Sequence, residues 1–211
     1  MRTLEDLIDT HEPGWDLVRS WIGVAEVPVE VLPRTQARAE TCLVNLQVTT
    51  RSPMGAVAFE SGGILVDRGW LRILGSGSDR LPRDLASWGL DRLDGALVVA
   101  DDILGGFFAL NGGGLAPDQL GAVFYFAPDS LEWEPATASY SEFLVFCFSQ
   151  RVGQFYQDYR WDGWEAEVMA IPGDKALSIV PFLWTTEGRD IGRASRRPVP
   201  VEELWTLYVS G

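Results

Sequence analysis

Apolar and polar residues alternate along this chain in two rhythms, and the change of rhythm divides it. Thr3, followed three positions later by Asp6, resembles a capping box and predicts a short helix from Leu4 to Asp9. Pro13 suits the first turn of a second helix. There Trp15, Val18, Trp21, Ile22 and Ala25 recur at helical spacing and predict an indole-rich buried face. Val27, Val29 and Val31 alternate and read as a strand ending at Leu32-Pro33, before a helix over about Thr35 to Leu46.

From Ala56 the pattern turns to short β-rich runs, Ala56 to Glu60, Ile64 to Asp67 and Trp70 to Leu74, separated by Gly62-Gly63 and Arg68-Gly69. Residues 75–79 read as a loop, and Leu81-Pro82 through Trp88 as one or two helical turns started by Pro82. Strands follow at Ala96 to Ala100, Gly106 to Asn111 and Ala122 to Ala127, with a further one at Leu131 to Glu134. Ser139 or Ser141 caps a helix to about Val152 that is apolar nearly all round, so it should be buried on most sides. Helical pieces at Gly153 to Tyr159 and Trp164 to Met169 precede a late strand, Leu177 to Trp184. Pro198-Val199-Pro200 then introduces a terminal helix bearing Val201, Leu204, Trp205 and Tyr208 on one face. Runs of strands bracketed by helices predict an α+β fold: one compact unit over residues 1–211, with an antiparallel, twisted sheet of about six strands and helices packed mainly on one face.

Composition supports a substantial core. The 211 residues are 46% hydrophobic and include nine Trp and ten Phe. Cys42 and Cys147 are too few and too far apart for a disulfide framework or a zinc ligand set. No signal peptide is visible before Thr3 and no apolar stretch approaches membrane-spanning length, so a cytoplasmic protein with free thiols is expected.

The net charge of −13 is unevenly spread: residues 101–150 hold seven carboxylates and no Lys or Arg. Such a segment repels phosphate backbones and anionic lipid, which disfavours nucleic acid and membrane as partners and favours a basic protein. Asp101, Asp102, Asp118, Asp129, Glu132 and Glu134 are the candidate partner-binding residues, with aromatics near Phe107 or Tyr125 supplying contact area.

Catalytic parts are scarce. His11 is the single histidine and reads as a surface turn residue; no phosphate loop, nucleophile elbow, HExxH or CxxC is present, and no cofactor or metal site is expected. Asp101-Asp102 is the most tempting acidic pair, but adjacent residues of a strand point to opposite faces and do not readily share one site. Gly112-Gly113-Gly114 lacks the helix-opening spacing and Lys of a phosphate loop. Two weaker possibilities stand beside a binding role: a carboxylate-based hydrolase or sugar-active enzyme built from Asp101, Asp102, Glu165 and Glu167, and an anion site at Arg196 and Arg197.

The stretches Leu97 to Asp102, Gly105 to Asn111, Val123 to Asp129 and Ser139 to Leu144 together resemble the SUKH superfamily, which contains the yeast cell-wall regulator and many bacterial immunity proteins. The resemblance covers roughly residues 75–152 and implies a SUKH-like core with N- and C-terminal additions. It also implies an immunity-type or regulatory role against a basic partner such as a toxin nuclease. Across nearly the full length the chain is similar to the bacterial domain-of-unknown-function family 2625. That likeness rests on Gln47 to Ala56, Gly69 to Gly77, Gly163 to Val168, Pro181 to Trp184 and Ser195 to Pro200, and it implies no known activity.

Overall fold

The computed structural model of the chain describes residues 1–209. Four helices come first: α1 (Leu4–Leu7), α2 (Gly14–Gly23), α3 (Gln36–Leu46) and α4 (Pro53–Glu60). The capping box at Thr3 is present, with the Asp6 carboxylate accepting from the Thr3 backbone N–H at 2.9 Å and the Thr3 hydroxyl accepting from Asp6 N–H at 3.4 Å. The segment from Ala56 to Glu60, expected as a strand, is the second half of α4. Its all-apolar run carries no period, and the decisive signal lies just upstream. Ser52 caps the helix by accepting from Gly55 N–H at 3.0 Å, and Pro53 occupies the first turn. Gly55 also lies so close to the Thr49 carbonyl that a Cβ would collide with it.

The sheet has seven strands in sequential antiparallel order: β1 (Val29–Val31), β2 (Gly63–Val66), β3 (Leu71–Leu74), β4 (Ala96–Asp102), β5 (Phe107–Asn111), β6 (Val123–Ala127) and β7 (Glu132–Thr137). A bulge between Val98 and Ala100 resets the register of β4 on β5. The central strands are buried along most of their lengths on both faces, which requires a cover on each side.

One face, bearing Asp102, Phe108 and Tyr125, is covered by α5 (Tyr140–Phe148) and α6 (Gln150–Phe155). There the Phe108 ring lies 4.9 Å from Phe143 of α5. Ser139 caps α5 as expected, but the helical path breaks at Ser149. The opposite face, bearing Asp101 and Phe107, is covered by a π turn at Leu85–Gly89, a two-stranded ribbon of β8 (Lys175–Val180) and β9 (Ser195–Pro200), and α8 (Val201–Tyr208). Here Phe107 packs against Trp205 at 4.8 Å, and Leu177 N–H donates to Ile103 O at 2.7 Å. Helices on mainly one face is therefore corrected to two covered faces. β9 was not expected, because Ser195-Arg196-Arg197-Pro198-Val199-Pro200 reads as a loop. Prolines are tolerated there because a two-stranded ribbon leaves one side of each strand free. The short α7 (Trp164–Met169) joins the sheet region to the ribbon, and no described helix is long and apolar enough to cross a membrane.

Candidate functional site

Asp101 and Asp102 were expected at the surface; both are fully buried. The strand alternation that separates them holds, and the sheet puts them on different faces. Asp101 lies between two guanidiniums, Arg72 from β3 and Arg83 from the segment before the π turn, and forms ion pairs with both. Arg72 also donates to Asp102 O at 3.0 Å and to Lys175 O, and Arg83 donates to Gly173 O at 2.9 Å, so the cluster ties the sheet to the start of the ribbon. Burial pushes the Arg72 guanidinium down, and the neighbouring Asp101 charge opposes that shift.

Asp102 meets only neutral donors. Tyr125 and Tyr156 hydroxyls donate to one carboxylate oxygen at 2.7 and 2.9 Å, and the backbone N–H groups of Leu104 and Gly106 donate to the other at 2.8 and 2.9 Å. Burial raises its pKa, with the four donors working against that rise. Gly106 is required here, because a Cβ would strike both the Asp102 carboxylate and the Tyr125 hydroxyl.

Directly outside this centre, the turn after β6, the edge strand β7 and the end of α6 form a recess of about 230 Å³. Its floor is Leu104 and Tyr125; its walls are Phe155 and Tyr159; Asp129 and Glu134 stand at its rim. Phe155 is 43% exposed, its ring edge-on to Tyr125 at 5.2 Å, so an apolar face is left open to a ligand. The Tyr159 hydroxyl donates to Asp129 at 2.6 Å; burial and then this bond push the phenol well above its usual range. Strand register places Glu134 opposite Tyr125 and Glu132 opposite Ala127, so the two glutamates continue along the same face as the recess.

Of the expected contact residues, then, Asp129, Glu132 and Glu134 come together, all exposed. Asp118, also exposed, sits in the β5–β6 loop at the other end of β6, roughly 15 Å away by strand rise. Phe107 is buried against Trp88 and Trp205 and offers no contact area; Tyr125, 7% exposed, shows only part of its ring as the recess floor. Phe155 and Tyr159 escaped the sequence reading, since only tertiary folding brings α6 beside the β6–β7 turn.

Arg196 is half-buried and committed internally. It donates to Ile191 O at 2.8 Å and Ala194 O at 3.2 Å, lies over the Trp161 ring at 4.4 Å, and pairs with Glu167 at 3.5 Å. Arg197 is exposed and faces Glu203 at 3.9 Å. Glu167 additionally accepts from Trp161 Nε1 at 2.8 Å. With Asp101 and Asp102 sealed from solvent, the carboxylates considered for hydrolysis are each held by internal partners or, for Glu165, stand apart at the half-buried start of α7.

The family described as protein of unknown function DUF2625 matches residues 4–204, and the chain belongs to that family. It is 43% identical over 213 residues to the protein YbfG of Escherichia coli (strain K12), covering 98% of this chain and 95% of that one. It is 37% identical over 209 residues to an uncharacterised protein of Haemophilus influenzae (strain Rd), covering 96% and 91% respectively. No solved structure matches the chain.

Proposed function

We propose that this DUF2625 member is a non-enzymatic binding module that takes a cationic side chain of a basic protein partner into the recess between β6, β7 and α6. The observation that carries this reading is the chemistry of the recess. An aromatic floor and walls (Tyr125, Phe155, Tyr159) lie beneath two rim carboxylates, Asp129 and Glu134, which is a complementary environment for a Lys or Arg head group and its apolar stem. Glu132 extends the negative line along β7, and the excess of acid in residues 101–150 favours encounter with a basic surface. Pro135 in β7 and the flanking glutamates discourage strand addition along that edge, so side-chain insertion rather than sheet extension is the mode of contact. An immunity-type or regulatory role, occluding a basic partner, is the biological form of this activity that agrees with the SUKH-like motifs.

Calorimetric titration with an arginine-rich peptide tests it. An Asp129→Lys/Glu134→Lys variant is compared with a Glu5→Lys/Asp16→Lys variant, which changes net charge equally at exposed positions in the N-terminal helices. Loss of binding, by roughly tenfold or more, confined to the first variant is the expected result. Equal weakening in both reduces the effect to overall charge and overturns the reading.

A further inference from the structure

A larger groove, about 690 Å³, which shares no lining residue with the recess, lies between the β2–β3 hairpin and the segment that joins α7 to β8. It has an apolar wall of Leu65, Val168, Met169 and Ile171, with Met169 60% exposed, and three guanidiniums at Arg68, Arg72 and Arg80. We infer that this groove binds a small organic oxyanion, a phosphate monoester or a carboxylate carried on an apolar body.

Three observations converge on that chemistry. The first is a charge imbalance below the groove: Arg72 and Arg83, with side chains 3% and 8% exposed, share the single carboxylate of Asp101. A buried cluster with more cations than anions gains from a further negative charge nearby, because uncompensated charge in a low-dielectric interior is costly. The second is an unused donor. The Nε of Arg72, a residue lining the groove, is buried and has no hydrogen-bond partner among the described residues.

The third is Arg68. It is exposed, makes no ion pair among the described residues, and is held in the left-handed region at φ 62° directly after Asp67 at φ 48°. These positive φ values belong to the turn that closes the β2–β3 hairpin, where Trp70 N–H donates to Asp67 O at 3.1 Å, and they set Arg68 at its tip. The hairpin presents Arg68 at the groove, whereas Asp67 is anchored beneath by Arg160. The acids around the groove are Glu30, paired with Arg80, Asp79, paired with Arg38 at 3.7 Å, and Asp174. Glu30 and Asp79 are thus already engaged, and the exposed Arg68, unpaired among the described residues, is left to an incoming anion, with Arg80 beside it and the charge of the buried Arg72 beneath. A groove of this size with one apolar wall and convergent cations is the usual form of a small-ligand site.

Calorimetric titration of the full chain with phenyl phosphate and with phenylacetate, against benzyl alcohol as the neutral control, tests the inference. Saturable binding of either anion, absent for the alcohol and weakened roughly tenfold or more in Arg68→Gln/Arg80→Gln, is the expected result; which anion binds more tightly identifies the head group. Both arginines are exposed, so the variant retains its fold, verified by circular dichroism. A Met169→Glu variant, which places an acid on the open wall, should weaken binding in the same direction. No binding of either anion to the wild type, or undiminished binding in the double variant, overturns the inference. Asp129→Lys/Glu134→Lys should leave the anion affinity unchanged, so failure at one site is distinguishable from failure at the other.

Discussion

Asp101 and Asp102 are consecutive residues of β4, equally buried, and solved in opposite ways. On one face of the sheet a carboxylate is matched by two guanidiniums; on the other it is matched by two phenol hydroxyls and two backbone amides. The first arrangement links distant segments through charge, joining β3, β4, the turn before Leu85 and the entry to β8. The second links neighbours through geometry and requires glycine at position 106. The difference teaches that burial alone does not tell what a carboxylate does. Its partners decide whether it stores charge or shapes a loop, and each centre underlies a different surface: Asp101 the groove lined by Arg68, Arg72 and Arg80, Asp102 the recess lined by Tyr125, Asp129 and Glu134.

Removing the charge partner should show the larger effect. Asp101→Ala leaves two buried guanidiniums facing each other, and a loss of about 3–5 kcal/mol is expected in urea unfolding. A loss below that of Asp102→Asn would break the contrast between the two centres.

Asp102→Asn retains shape but turns one acceptor into a donor facing neighbouring donors, at a cost of about 1–3 kcal/mol. Its pH dependence sharpens the contrast. Burial raises the Asp102 pKa above the usual 3.8, so as pH rises past that value the unfolded chain gives up its proton before the folded one. The contribution of this group to stability is therefore greatest in acid and falls with rising pH until the folded carboxyl ionises. Plotted as wild type minus Asp102→Asn, stability should decline over that interval; a rise would show that the four donors outweigh burial.

Tyr159→Phe removes only the half-exposed bond to Asp129 and should cost about 0.5–1.5 kcal/mol or less, read from the same unfolding curves. An effect matching that of Asp102→Asn would mean that the recess and the buried centre behave as one network rather than as a surface resting on a core.

The local chemistry of the chain was legible where the signal is local. The Thr3 capping box, the Ser139 cap and the alternating runs of β4 to β6 each depend on contacts within a few residues. Where an apolar run lacked a period, as in Ala56 to Glu60, pattern alone gave a strand, and the cap at Ser52 was the better guide. Likewise β9 was hidden by its prolines and arginines, because its partner β8 lies some fifteen residues upstream. The exposed acids of the recess were found from charge counting, but Phe155 and Tyr159 carried no signal until α6 was packed against the sheet.

Sequence by itself determined an antiparallel α+β protein with a large aromatic core, a concentration of acid in residues 101–150, and the opposite facing of Asp101 and Asp102, since these follow from the order of strand and helix patterns, from composition, and from the two-residue period of a strand. Tertiary structure alone decided that the faces are covered on both sides, that these two acids are interior, and that Arg72, Arg83, Tyr125 and Tyr156 are their partners. Exposure is a property of what packs above a residue, and what packs above β4 comes from distant segments, such as Tyr156, 54 positions from Asp102.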